Sequence, residues 1–338
     1  MLKRVLRRFI VYSNKYPRDA LPQFLDIFRR YDKIIEIYRN SKLVKIFKEV
    51  EQKPADLSVA YLAHSRNYIK RITNPKYGLS KHLEAELLGV GGTIAAIEYA
   101  VKYKTIAYHV GGGYHHASRG REGGFDLLND IAIGIENIRR TTNIRRVGII
   151  DLDAHHPNGT EEIFYSDPDV LQVSFHTWGI FPRTGWINKI GKGKARGTKI
   201  NVPLPPGTTD ELYLKALKEI LIPVIEQYGP ELIIYQAGVD THHMDSLGKL
   251  KLTLNGLYER DKIVKFVAKD IPIAILAGGG YGPLSHFANA NTLAAFADEE
   301  MFRKEEIKIN ATSNIERKVN TRILEVKKIL SKHYKFNE

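Results

Sequence analysis

The stretch VGIIDLDAHHPNG, residues 147–159, decides the fold. Val147 to Leu152 is a short aliphatic run, apolar on both faces, as suits an interior strand of a parallel sheet covered by helices on each side. It breaks at once into Asp153, His155, His156 and turn residues. Ligands of doubly wound α/β sheets bind beyond the carboxyl ends of the strands, so chemistry-bearing residues belong just there. The same order recurs three times: KTIAYH (104–109) leads into GGGYHH (111–116), ELIIYQ (231–236) into AGVDTHHMD (237–245), and PIAILA (272–277) into GGGYG (278–282).

Further strands are expected at RFIVYS (8–13), LSVAYL (57–62), VLQVSF (170–175) and TKINVP (198–203), with helical patterns near 20–50, 83–101, 126–140, 210–227, 255–268 and 317–332. Strand, loop and helix thus alternate along the chain. The pattern predicts one domain over 1–338, an α/β fold in which a single doubly wound, mostly parallel sheet of about eight strands is flanked by helices.

Composition narrows the chemistry. The chain has 338 residues, 43% of them hydrophobic, and no cysteine, so it is expected to be soluble and globular, without disulfides, thiolate zinc sites or a cysteine nucleophile. Any metal must sit on histidine and carboxylate. No run approaches the ~20 apolar residues of a membrane span, and the basic start MLKRVLRRFIVYS lacks a signal-peptide apolar region. A cytoplasmic protein with no membrane contact is the default expectation. The net charge of +13 lies wholly at the ends: 1–54 hold 14 basic and 6 acidic residues, 301–338 hold 10 and 5, and 55–300 hold 27 of each. Such ends could contact nucleic acid or acidic partners. Their helical apolar spacing favours solvated helix surface instead.

Asp151, Asp153 and His155 stand at i, i+2, i+4, which in extended backbone sends all three side chains to one side. Asp240, at the end of another strand, could supply a further ligand. An Asp, His, Asp set with an open position is a catalytic arrangement that suits zinc, with ferrous iron, cobalt and manganese as alternatives. The glycine triplets at 111–113 and 278–280 match neither GxGxxG nor a P-loop, so they read as close backbone approach that aims the residues after them into a pocket. His115 and His116 could act as a base and its electrostatic partner, with Asp151 and Asn158 as orienting acceptors. Tyr281 suits a hydroxyl donor to a developing oxyanion.

These motifs resemble the histone deacetylase superfamily, which also holds acetylpolyamine amidohydrolases and acetoin-utilisation proteins on the arginase-like α/β fold. The resemblance covers about 55 to 290 and rests on GGGYHHA (111–117), GGFDLLNDIAIGI (123–135), DLDAHHPNGTEEIFY (151–165), VSFHTWGIFPRTG (173–185), GKGKARGTKINVPLPPG (191–207), AGVDTHHMDSLG (237–248) and LAGGGYG (276–282).

It implies a zinc amidohydrolase acting on an acylated lysine, with Asp153, His155 and Asp240 as metal ligands and Tyr281 as the transition-state tyrosine. His115 and His116 match the tandem histidines, His116 as proton shuttle and His115 paired with Asp151. Asn158 stands where one branch has a second aspartate, similar to the class II pattern, which should leave His116 less strongly held as imidazolium. Phe125 and Phe181 match the aromatic walls of the acyl-lysine channel, which Gly113 and Leu247 would also line. A potassium site at Asp151, Asp153, His155, Ser174 and Phe175 is implied as well.

The family's first loop departs here as YPRDALPQF (16–24), and NPKYGLSKHLEAELL (74–88) lacks the acidic substrate clamp. Leu247 resembles the gate of lysine-type enzymes, so small acylated amines such as acetylpolyamines are the alternative substrates. Two further rivals are an arginase-like ureohydrolase, which needs two manganese ions, and a non-catalytic nucleic-acid-binding protein.

Overall fold

A computed structural model describes residues 8–20 and 27–336. Among these residues eight strands, β1 (Arg8–Tyr12), β2 (Phe47–Glu51), β3 (Ile106–His109), β4 (Val147–Asp151), β5 (Val170–Thr177), β6 (Lys199–Leu204), β7 (Leu232–Gln236) and β8 (Ile273–Leu276), form one sheet. Its order is β2-β1-β3-β8-β7-β4-β5-β6, and every neighbouring pair is parallel. The strands from β4 to β8 are buried at every residue, as their two-sided apolar runs require. Alternate residues feed two cores: Tyr108, Ile150, Tyr235 and Ile275 on one face, Ala107, Ile149, Ile234 and Ala274 on the other.

The helices are α1 (Ile27–Arg39), α2 (Arg66–Ile72), α3 (Ser80–Tyr103), α4 (Asp130–Thr141), α5 (Asn158–Phe164), α6 (Asp210–Ala216), α7 (Ile222–Tyr228), α8 (Leu254–Val267), α9 (Ser285–Ala297) and α10 (Ser313–Leu330). Local chemistry sets several starts. Asn129 accepts from the Ala132 N–H ahead of α4, Thr253 from Gly256 ahead of α8, and Thr312 from Ile315 ahead of α10. α10 buries Val319, Ile323, Val326 and Leu330, one stripe at helical spacing. No described helix is long and apolar enough to cross a membrane.

Two expectations are corrected. LSVAYL (57–62) is a 3-10 helix capped by Asp56, whose side chain accepts from Ser58 N–H, and only Ala60 in it is buried. The strand lies instead at FKEVE (47–51), inside the stretch expected to be helical near 20–50. β2 is an edge strand that buries Phe47 and points Lys48, Glu49 and Glu51 to solvent, so it carries the charge density of a helix surface. The basic segment 1–54 therefore contributes two strands as well as α1. Its residues 1–7, and residues 21–24 of the departing loop, lie outside the described residues.

Register aligns the working ends. His109 pairs with Leu276, Leu276 with Gln236, Gln236 with Asp151, and Asp151 with Ser174. The four loops singled out in the sequence thus leave four adjacent strands, β3-β8-β7-β4, at one level. Beneath them Arg260 of α8 is wholly buried, its guanidinium donating to the Gly238 carbonyl at 2.7 Å and to Asp261 at 3.0 Å. Arg260→Ala would leave Asp261 buried without its cation, and breaking such a pair costs about 3–5 kcal/mol. Chemical denaturation should show that loss; a change below about 1 kcal/mol would contradict it.

Candidate active site

Asp151 closes β4 and is fully buried. The chain then turns so that Asp153 and His155, also buried, face Asp240 from the loop after β7, with donor atoms of the three within 4.8 Å of one another. Asp153 is held from several sides. Its Oδ1 accepts from the His155 N–H at 2.9 Å, and its Oδ2 accepts from Gln236 Nε2 at 2.9 Å and from the Gly279 N–H at 3.0 Å. Asp240 Oδ1 accepts from the Ala154 N–H at 2.8 Å. Its Oδ2 is buried and finds no hydrogen-bond partner among the described residues, although His155 Nδ1 approaches to 2.7 Å.

The charges explain that crowding. Burial and the neighbouring Asp153 push the Asp240 carboxyl up to about 7. Burial works against charge on His155, but Asp153 and Asp240 outweigh it and push the ring up to about 10. Two buried carboxylates converging on one imidazole nitrogen ask for a cation, which the ring proton supplies here and which a divalent ion would supply in its place on the same N/O donors. The donor set therefore fits a metal.

The paired histidines follow β3. His115 Nδ1 stands 2.9 Å from Asp151 Oδ2, His116 Nδ1 stands 2.8 Å from Asn158 Oδ1 at the start of α5, and the two Nε2 atoms are 3.1 Å apart. Each acceptor holds a proton on Nδ1, so the short Nε2 contact needs one shared proton. That proton rests on His115. Burial opposes it, but Asp151 and Asp153 push His115 up to about 9, while burial and the charge of His115 hold His116 well below the usual histidine value. His116 is the neutral ring of the pair.

Tyr281 follows the second glycine triplet. Its backbone N–H and that of Gly282 both donate to Asp245 Oδ2, at 2.7 and 3.0 Å. Burial and the charges of Asp153 and Asp240 push its phenol well above the ordinary value, so the hydroxyl stays protonated and keeps a proton to donate. The triplets meet back to back: a Cβ on Gly113 would stand 3.0 Å from Gly278 Cα.

A cavity of about 60 Å³, room for a few waters, joins Gly113, His115, His116, Phe125, Asp153, His155 and Tyr281, and runs inward to Tyr31 and Tyr114. The Phe181 ring lies 4.9 Å from the ring of His116 and 6.5 Å from that of His155, while both Phe125 and Phe181 are about half exposed. Leu247 is half-buried on the loop held by Asp245 and does not line this cavity. Ser174 faces Asp151 across the β4–β5 pair but bonds to His176 Nδ1 at 2.9 Å, and Phe175 is buried beside it.

Several working residues escaped the sequence reading. Gln236 and Asp245 are two. Asp126 accepts from the His116 N–H at 2.8 Å, Asp130 from the N–H groups of Gly113 and Tyr114 at 2.9 and 2.7 Å, and Glu86 of α3 from those of Leu127 and Leu128 at 2.7 and 2.5 Å. Three buried carboxylates thus pin the two loops that carry the histidines and Phe125. Asp126, Asp130 and Asp245 lie inside the quoted motifs, which was their only signal.

Gly124, at φ +54°, lies against the His116 ring, and a Cβ there would overlap it. Gly124→Ala should displace the base by a fraction of an ångström to about 1 Å, which can cost about 100-fold in turnover. Steady-state kinetics measured below the lowered melting temperature that an alanine at this φ should give would show it; wild-type turnover would contradict it.

Paired histidines facing a buried Asp, His, Asp group, at the carboxyl edge of a parallel sheet, form the site of a hydrolase. Residues 27–296 match the family model described as "Histone deacetylase domain". The acetoin utilization protein AcuC of Staphylococcus aureus is 33% identical over 271 residues, covering 73% of this chain and 69% of that protein. AcuC of Staphylococcus xylosus is 33% identical over 246 residues, covering 65% and 63%. Chloroplastic histone deacetylase 14 of Arabidopsis thaliana is 33% identical over 206 residues, covering 59% and 49%. The chain belongs to the histone deacetylase family, and its class of activity is that of a deacetylase.

Proposed function

We propose that the chain is a zinc-dependent amidohydrolase that removes an acetyl group from an acylated lysine. The observation that carries this reading is the His115–His116 pair, wired to Asp151 and Asn158 and sharing one cavity with Asp153, His155 and Tyr281. Asp153, His155 and Asp240 would hold zinc, which when bound would supply Lewis-acid chemistry, polarising the acyl carbonyl and lowering the pKa of a water from about 16 to roughly 7.

The protein groups do the rest. His116, neutral and with its only lone pair at Nε2, exchanges the contact with His115 for the attacking water and takes the water's proton there; the charge of its ring is stabilised only modestly by Asn158, so the proton is ready to pass to the leaving amine. His115, held charged by Asp151, keeps a positive field on the developing oxyanion. The Tyr281 hydroxyl donates to that same oxygen. Phe125 and Phe181 bracket the aliphatic stem of the substrate. Ferrous iron, cobalt or manganese could replace zinc on these N/O donors, and a potassium ion near Asp151 and Ser174 belongs to the same proposal, as does a cytoplasmic setting.

The test is a comparison of rates on an acetyl-lysine peptide, acetylspermidine and longer acyl-lysine peptides with zinc-loaded protein. Fastest hydrolysis of the acetyl-lysine peptide is expected. A tenfold or greater preference for acetylspermidine would overturn the lysine assignment in favour of a small acylated amine.

A further inference from the structure

A second cluster of metal-binding side chains shares no residue with the first. His242 Nε2 stands 2.9 Å from Glu305 Oε2, and His243 Nε2 stands 3.0 Å from Glu305 Oε1. Consecutive side chains of an extended chain point to opposite sides, so two adjacent imidazoles reach one carboxylate only because the chain turns here: the His242 N–H donates to the Val239 carbonyl at 3.2 Å and the Asp245 N–H to that of His242 at 2.9 Å. Glu305, in an irregular segment before α10, is presented deliberately. Asn255 grips its backbone on both sides, accepting from the Glu305 N–H at 3.1 Å and donating to its carbonyl at 2.7 Å, while the Leu254 N–H donates to Oε2 at 2.7 Å.

We propose that His242, His243 and Glu305 form a second site for a divalent transition-metal ion. Two imidazoles and one carboxylate suit zinc, cobalt, nickel or copper, whereas magnesium and calcium prefer all-oxygen shells. All donor atoms lie within 4.8 Å of one another, His242 is buried, and His243 and Glu305 are half-buried, so an ion can reach the site from solvent. Binding moves the proton of His242 from Nε2 to Nδ1, which gives up only a long contact, 3.3 Å, from the Met244 N–H. The ion would fasten the segment before α10 to the loop that carries Asp240 and Asp245. Its role is structural, and it goes beyond the proposed hydrolysis.

The experiment counts ions. Chelator-treated full-length protein is equilibrated with zinc, freed of excess by gel filtration and submitted to elemental analysis. Two ions per chain are expected for the unaltered protein and one each for His243→Ala, Glu305→Gln and Asp153→Asn. In the Asp153→Asn background, zinc should raise the melting temperature, and adding Glu305→Gln should abolish that rise. One ion in the unaltered protein, or two that persist in both His243→Ala and Glu305→Gln, would overturn the site and leave a hydrogen-bonded histidine–glutamate clamp. Loss of both ions in Asp153→Asn would also overturn it, by showing a binuclear centre that shares ligands. None of these counts depends on hydrolysis, so failure of the proposed activity would be read separately.

Discussion

His116→Ala should lower turnover about 100- to 10,000-fold, the usual contribution of a positioned general base. The base needs its lone pair, and His116 keeps it because burial and the charge on His115 hold its pKa well below the ordinary histidine value. The sign for pH follows. His116 is neutral above its depressed pKa and is lost as a base when pH falls through it, so the acid limb of the rate profile should lie below the ordinary histidine range of about 6.5. Asn158→Asp would place a negative charge 2.8 Å from Nδ1 and should move that limb upward. A profile with its acid limb unmoved by Asn158→Asp, or His116→Ala protein at full speed, would exclude this base.

Tyr281→Phe should lower turnover about 100- to 1000-fold, since loss of one oxyanion donor costs roughly 3 to 4 kcal/mol. The effect should fall on kcat with little change in KM, because the hydroxyl acts on charge that develops only in the transition state. Zinc content should be unchanged, as Asp153, His155 and Asp240 are left intact. The backbone of Tyr281 is held by Asp245 independently of the hydroxyl, so the loop should survive the substitution. Near-normal hydrolysis of an acetyl-lysine peptide by this variant would remove Tyr281 from the chemistry.

Much of this was legible because the fold puts its chemistry in one kind of place. A buried run such as VGIID can only be an interior strand, and polar residues directly after it are expected at the ligand-binding edge. Asp153, His155, Asp240, His115, His116 and Tyr281 could be picked out on that ground, and the described geometry brings them together around four adjacent strand ends. What could not be read has physical causes. β2 is an edge strand in which only Phe47 is buried, and its Lys and Glu residues look like helix surface, while LSVAYL is apolar like a strand yet forms a 3-10 helix capped by Asp56. Gln236, Asp245, Asp126, Asp130 and Glu86 act by accepting from or donating to groups in other loops, as between Gln236 and Asp153, 83 residues apart. Such partners exist only once the sheet has formed. Neither Leu247, on the loop that Asp245 holds, nor Phe181 lines the inner cavity, so their expected place as channel walls lies at most outside it.

Metal-assisted amide hydrolysis at Asp153, His155 and Asp240, as proposed, is tested most directly by the rate of acetate release from an acetyl-lysine peptide before chelation, after chelation and after zinc is returned. Chelated protein should retain less than about one thousandth of the rate, on the scale of a missing water activation, and zinc should restore it in the unaltered chain but not in Asp153→Asn. Undiminished hydrolysis by metal-free protein, or full restoration in Asp153→Asn, would contradict the account.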